Sequence, residues 1–177
     1  MLKFRLYIIS DEYVSYLEKF DKRVSSNKEE SRKFERKYLG VVLSVNELDY
    51  FVPLASPKDS DYDNDNQIRK SIIPIIRMIH IEKDGSLTLV GTLKFNNMIP
   101  VIHSVVQEYD GKNECDLQYR ELVNKQWNYI SKHINQILRN AKTIYNEKIN
   151  NTENKGYLRS TVDFLLLETK AKEYKSN

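Results

Sequence analysis

The chain has 177 residues, 40% hydrophobic and 30% charged, with 28 basic against 25 acidic side chains for a net charge of +3. That length suits one domain able to remove roughly 70% of its unfolded surface from water, and no apolar run approaches the roughly 18 residues that a membrane span requires. A single cysteine, Cys115, excludes an internal disulfide and a cysteine-rich zinc site, and the apolar stretch 6–9 is too short for a signal peptide, so a cytoplasmic protein is expected.

Residues 2–9 read as a short strand, and Ser10 followed by Asp11 and Glu12 reads as the start of a helix with Tyr13, Leu17 and Phe20 on one face. Residues 21–36 are polar without an apolar period and read as a long loop, of the kind that often carries function. The β-branched runs 38–45 and 50–54, joined by the polar turn 46–49, predict a hairpin, with Pro53 marking an edge or a strand end. A second hairpin joins 71–82 to 86–95 through Asp84-Gly85, a dipeptide suited to a type I′ turn. One further strand follows Pro100, over 101–108.

Beyond residue 110 the apolar spacing turns helical, from Leu122 and Trp127 to Ile144 and Tyr145, as one long helix or as two broken near 132–135. After a polar linker at 150–156, Ser160 or Thr161 is placed to cap a last helix carrying Phe164, Leu167 and Ala171. The expected product is one α+β domain over 1–177, mainly antiparallel sheet up to 110 and helical afterwards.

Charge is segregated along this frame. Arg32, Lys33, Arg36 and Lys37 crowd the end of the long loop, and Arg120, Lys125, Lys132, Arg139, Lys142 and Lys148 form a second basic region. Between them Asp59, Asp61, Asp63 and Asp65 alternate like the start of a calcium loop. Asn64 stands where that loop needs glycine and Lys70 where it needs glutamate, so the run reads as a solvated loop. The five glycines lie too far apart to cradle phosphates, and His80, His103 and His133 lack ligand spacing. Neither a cofactor nor a metal is expected.

What remains is the run Pro53-Leu54-Ala55-Ser56-Pro57-Lys58. Pro57 holds Ser56 extended and removes a backbone donor, which presents the hydroxyl at the rim of the sheet with Lys58 two residues on. By composition alone such a run is also an ordinary surface turn.

In order and spacing, residues 38–42 (YLGVV), 50–58 (YFVPLASPK) and 95–101 (FNNMIPV) resemble the ToxN/AbiQ family of type III toxin-antitoxin toxins, with a weaker likeness in the helical half. The resemblance implies a strongly twisted antiparallel sheet, an SH3-like barrel similar to the Kid/MazF toxins, flanked by helices. It further implies a metal-independent endoribonuclease leaving 2′,3′-cyclic phosphate ends. Such a toxin is inhibited by a repeat RNA antitoxin, a pseudoknot that it processes and binds in a closed assembly, and several family members act in abortive infection against phage.

Carried onto this sequence, the family pattern makes Ser56 and Lys58 catalytic, with Arg36 in the basic position of the loop before Tyr38. Arg32 stands where some members have a tyrosine, and Ala55 where some have a hydroxyl. Arg32, Lys33, Lys37, Tyr38 and Lys94 are then RNA contacts near the cut. Asn96 and Asn97 have amides suited to base edges, or to capping a turn. Arg139 and Lys142 are placed to follow the antitoxin backbone, or form a solvated helix face. The competing reading is a non-catalytic RNA-binding module of the same fold.

Overall fold

A computed structural model describes residues 2–27, 34–150 and 155–175. Its first strand, β1 (Arg5–Ile9), buries Leu6, Tyr7 and Ile9 and leads through Ser10 into α1 (Asp11–Phe20). Ser10 caps that helix as expected: its hydroxyl accepts the Tyr13 N–H at 3.1 Å, while Tyr13, Val14 and Leu17 turn inward.

β2 (Lys37–Val45) and β3 (Leu48–Ala55) form the first hairpin. Its tight turn holds both Asn46 and Glu47 at positive φ, 51° and 66°, the backbone of a type I′ turn. The second hairpin, β4 (Ile75–Ile81) with β5 (Leu87–Lys94), departs from that expectation. In its turn only Gly85 has positive φ, and Asp84 instead accepts the Ser86 N–H and hydroxyl, so the tip is a longer loop than a type I′ pair. β4 begins at Ile75 rather than at 71, because Pro74 brings no N–H to a ladder.

The stretch expected as one strand over 101–108 divides. β6 (Ile99–Val101) pairs with β3, a 3-10 turn covers His103–Val105, and β7 (Val106–Glu108) pairs with β1. Among the described residues seven strands thus make one antiparallel sheet in the order β4-β5-β3-β2-β1-β7, with β6 on β3. The outer strands β4 and β7 do not pair with each other, so the sheet is open and the closed SH3-like barrel is not formed. β3 is the pivot of this sheet. One of its edges lies on β2, while Asp49, Tyr50 and Phe51 meet β6 and Leu54 and Ala55 meet β5. Ser56 leaves the sheet directly after Ala55, the last residue of β3 paired with β5.

The helical half resolves into α2 (Leu117–Lys132) and α3 (Ile134–Asn150), broken at His133, whose N–H returns to the Ile130 carbonyl. A short α4 (Gly156–Arg159) precedes α5 (Phe164–Glu173). Asp163 caps α5 by accepting the Leu166 N–H; Ser160 and Thr161, expected in that role, donate to the Tyr157 carbonyl. α2 packs on β4 and β5, α3 on β2, and α5 on β6 and α1. One apolar cluster runs from Tyr13 through Tyr50, Phe51 and Phe95 to Phe164, all fully buried. Among the described residues no helix is long and apolar enough to cross a membrane.

Candidate active site

Where β3 ends, Ser56, Pro57 and Lys58 are exposed at the rim of the sheet, as the proline and the serine before it suggest. The chain then closes a turn on itself. The Lys58 N–H donates to Asp61 Oδ2 at 3.0 Å, and the Asp61 N–H donates to the Lys58 carbonyl at 2.8 Å. Asp59, Asp63 and Asp65 are exposed, in keeping with a solvated loop, but Asp61 is buried. Its second oxygen accepts Arg77 Nε at 3.0 Å inside the protein. No acidic side chain among the described residues pairs with the Lys58 ammonium.

A cavity of about 570 Å³ opens beside this turn. Its wall brings Ser56 and Lys58 together with Arg36, Lys37 and Lys94, so that four basic side chains line it beside Glu35. The lining also comes from α2, through Tyr119, Leu122 and Gln126, and from Phe34, whose ring stacks on Tyr119 at 4.0 Å. A polyanion with flat apolar groups matches such a lining.

Arg36 is only 3% exposed and lies across the end of β3. Its guanidinium donates to the Leu54 carbonyl at 3.2 Å and to the Ser26 carbonyl at 3.0 Å, tying the chain just before Ser56 to the loop that follows α1. Lys37 is buried as well, with its ammonium over the rings of Tyr109 and Tyr119 at 4.9 and 5.5 Å and donating to the Glu35 carbonyl. Burial pushes its pKa below the usual lysine value, while Glu35 and Glu114 partly oppose that fall.

Gln126 joins the helix wall to the sheet. Its amide donates to the Val90 carbonyl at 2.7 Å, next to Gly91, whose φ is +148°. A Cβ on Gly91 would lie 2.8 Å from Gln126 Nε2 and 3.1 Å from the Ala55 carbonyl, so only glycine lets α2, β5 and the end of β3 approach this closely.

Other expected residues lie apart from the cavity. Tyr38 is buried, its hydroxyl donating to Asn27 Oδ1 at 2.8 Å. The amides of Asn96 and Asn97 donate to the protein's own backbone, at Ser160 and Arg23, where they fasten loops. Arg139 lines a separate shallow cavity with Lys132 and His133 between α2 and α3, and Lys142 is exposed on α3. Arg32 and Lys33 fall outside the described residues.

The sequence reading did not single out Tyr119, Gln126 or Arg77, and it grouped Asp61 with its exposed neighbours. A carboxylate three residues after Lys58 was the one local sign available. Among the described residues no cluster of His, Cys, Asp or Glu is arranged to hold a metal ion. What the geometry offers is a hydroxyl and an ammonium at the mouth of a cationic cavity, able to bind a phosphodiester and to stabilise added negative charge on it.

Residues 5–172 match the model of the family described as toxin ToxN of type III toxin-antitoxin systems. The endoribonuclease ToxN of Bacillus thuringiensis subsp. kurstaki is 29% identical, over 97% of this chain and 84% of its own length. The endoribonuclease AbiQ of Lactococcus lactis subsp. lactis is 31% identical, over 96% and 88%. Among solved structures, a type III toxin selectively inhibited by a non-coding RNA pseudoknot matches with a TM-score of 0.77 at 29% identity, covering 98% of each chain. The lactococcal anti-phage endoribonuclease AbiQ matches with a TM-score of 0.78 at 29% identity, covering 96% of each.

Proposed function

The chain belongs to the ToxN family of type III toxin-antitoxin toxins, and we propose that it is a sequence-specific endoribonuclease that cuts RNA without a metal at the turn carrying Ser56 and Lys58. One observation carries this reading: β3 delivers Ser56 and Lys58 together to the mouth of a cationic cavity, with the Lys58 ammonium engaged by no carboxylate among the described residues.

Cleavage to a 2′,3′-cyclic phosphate uses the substrate's own 2′-hydroxyl as nucleophile. Its oxygen bonds to phosphorus, the P–O5′ bond breaks, the 2′-proton passes to solvent water and the 5′-oxygen gains one. Lys58, as ammonium, neutralises the extra charge of the pentacoordinate phosphorane and donates toward the leaving oxygen. Ser56 hydrogen-bonds the scissile phosphate or relays a proton, and need not form a covalent bond. Arg36 supplies positive charge from behind while holding the end of β3 in place.

Inhibition by a repeat RNA pseudoknot, processed by the toxin and bound in a closed assembly, belongs to the same reading, as do a cytoplasmic location and a role in abortive phage infection. The pseudoknot-inhibited relative supports the inhibition by RNA, and the anti-phage relative supports the role against phage. Kinship with the Kid/MazF toxins enters as a shared antiparallel scaffold rather than a closed barrel. The basic residues Lys132, Arg139 and Lys142, away from the cut, are the ones that suit an RNA backbone.

The test is to incubate RNA-free protein with a long mixed-sequence transcript in excess EDTA and identify the 3′ ends. Discrete fragments ending in cyclic phosphate, lost in Lys58→Ala, are expected. Intact RNA bound by folded protein would instead establish a binding module.

A further inference from the structure

We propose that Arg77 is a positioning residue of this site, which holds the Asp61 carboxylate away from the Lys58 ammonium and so keeps the lysine's charge for the phosphate. The proposal rests on the nuclease reading of Ser56 and Lys58.

Asp61 stands in an unusual place. Its Oδ2 accepts the backbone N–H of Lys58 at 3.0 Å, so a carboxylate sits at the root of the very side chain that must stay cationic and unpaired. A lysine stem is long and flexible enough to fold back onto such a group. The other oxygen, Oδ1, is taken by Arg77 Nε at 3.0 Å, with the two side chains 7% and 8% exposed. A guanidinium beside it satisfies the carboxylate, and a buried charge so satisfied has little need of a second cation.

Arg77 is itself fixed on several sides. Its guanidinium donates to the Lys70 carbonyl at 2.8 Å, and its backbone N–H donates to Ser71 Oγ at 2.8 Å. In the sheet, Arg77 lies opposite Thr92 of β5, and Thr92 lies opposite Ala55 of β3, the residue before Ser56. The guard and the catalytic turn therefore ride on the same three strands. Without Arg77, Oδ1 of Asp61 loses its cation while Oδ2 still accepts the Lys58 N–H, and the Lys58 ammonium becomes the replacement partner.

A buried ion pair that only stabilises the fold gives a different result from one that guards a charge. Under the guard reading, removing the second member restores what removal of the first destroys. RNA-free protein is assayed on the mixed-sequence transcript in EDTA, with unfolding measured on every variant. Arg77→Gln is expected to lower kcat by about 10- to 100-fold with KM within about twofold, and Asp61→Asn with Arg77→Gln to regain most of that loss. A double variant no faster than Arg77→Gln, with both folded, overturns the proposal. So does full activity in Arg77→Gln.

Should Arg77→Gln not fold, Arg77→Lys serves instead, since it keeps a cation beside Asp61. Retained cleavage there supports the guard, and a loss as large as that of Lys58→Ala overturns it. Cleavage that persists in Lys58→Ala speaks against the assigned site itself, a failure separate from that of the guard.

Discussion

The hydroxyl of Tyr50, on β3, donates to Glu168 of α5 at 2.7 Å, and the hydroxyl of Tyr145, on α3, donates to the same oxygen at the same distance. Asn46 Nδ2, in the β2–β3 turn, donates to the other oxygen at 2.9 Å. One buried carboxylate thus pins the first hairpin to two helices, and its three donors are what make a charge tolerable there. Burial and the adjacent carboxylate both hold the two tyrosines protonated well above their ordinary range.

Tyr50→Phe removes one donor and leaves the ring packing intact, so it should cost about 1–2 kcal/mol, whereas Glu168→Leu strands two buried hydroxyls and should cost about 2–4 kcal/mol. Both variants should keep the cleavage rate per folded molecule, because the network lies outside the cavity lining. Urea unfolding of each variant checks the first claim, and an unchanged midpoint for Glu168→Leu would dismiss the network as a fastening.

Acid should release a second fastening. Asp21 closes the C-terminus of α1, accepts Arg23 Nε at 2.8 Å and Nη2 at 2.9 Å, and receives the Asp163 N–H at the start of α5 at 2.7 Å. Burial alone would raise its pKa, but the Arg23 and Asp163 donors outweigh burial and leave it below the ordinary aspartate value. A carboxyl depressed by folding contributes stability above its unfolded pKa of about 3.9 and loses it as pH falls through the lower folded value. Asp21→Asn should therefore be less stable than the parent at pH 7, and the gap should narrow below about pH 4. Denaturant midpoints at pH 7 and pH 3 give the comparison; a gap independent of pH would show that the charge of Asp21 is not the cause.

Local rules made some of this structure legible and long-range pairing hid the rest. Ser10 caps α1 by chemistry confined to four neighbouring residues, and the Ser56-Pro57-Lys58 rim follows from one proline, so both could be read directly. The type I′ turn fell on Asn46-Glu47 rather than on Asp84-Gly85 because strand register, not dipeptide preference, sets the loop length. Residues 101–108 divided because β3 and β1 each had a free edge to offer. Nothing local separates Asp61 from Asp59, Asp63 or Asp65, since what distinguishes it is an arginine 16 residues away on β4. Gln126 was equally silent, as its partner Val90 lies 36 residues distant.

Arg36 supplies the last expectation, because its geometry changes the role its sequence position suggested. A guanidinium in the basic loop before Tyr38 invites a phosphate fork, yet here the fork reaches two backbone carbonyls, Leu54 at 3.2 Å and Ser26 at 3.0 Å. Leu54 is two residues before Ser56, so this bridge sets where the hydroxyl emerges. A planar guanidinium spans two acceptors at fixed spacing, whereas an ammonium on a shorter reach holds one at a time. Arg36→Lys should then preserve the charge of the cavity but lose the bridge, costing about 1–3 kcal/mol of stability and lowering the cleavage rate. Arg36→Ala, which removes the charge too, should be slower still and should weaken RNA binding more steeply at low salt. Thermal unfolding and single-turnover cleavage of the two variants separate the contributions. If Arg36→Lys cleaves and unfolds like the parent, the cavity needs only the charge, and the bridge to Leu54 does not place Ser56.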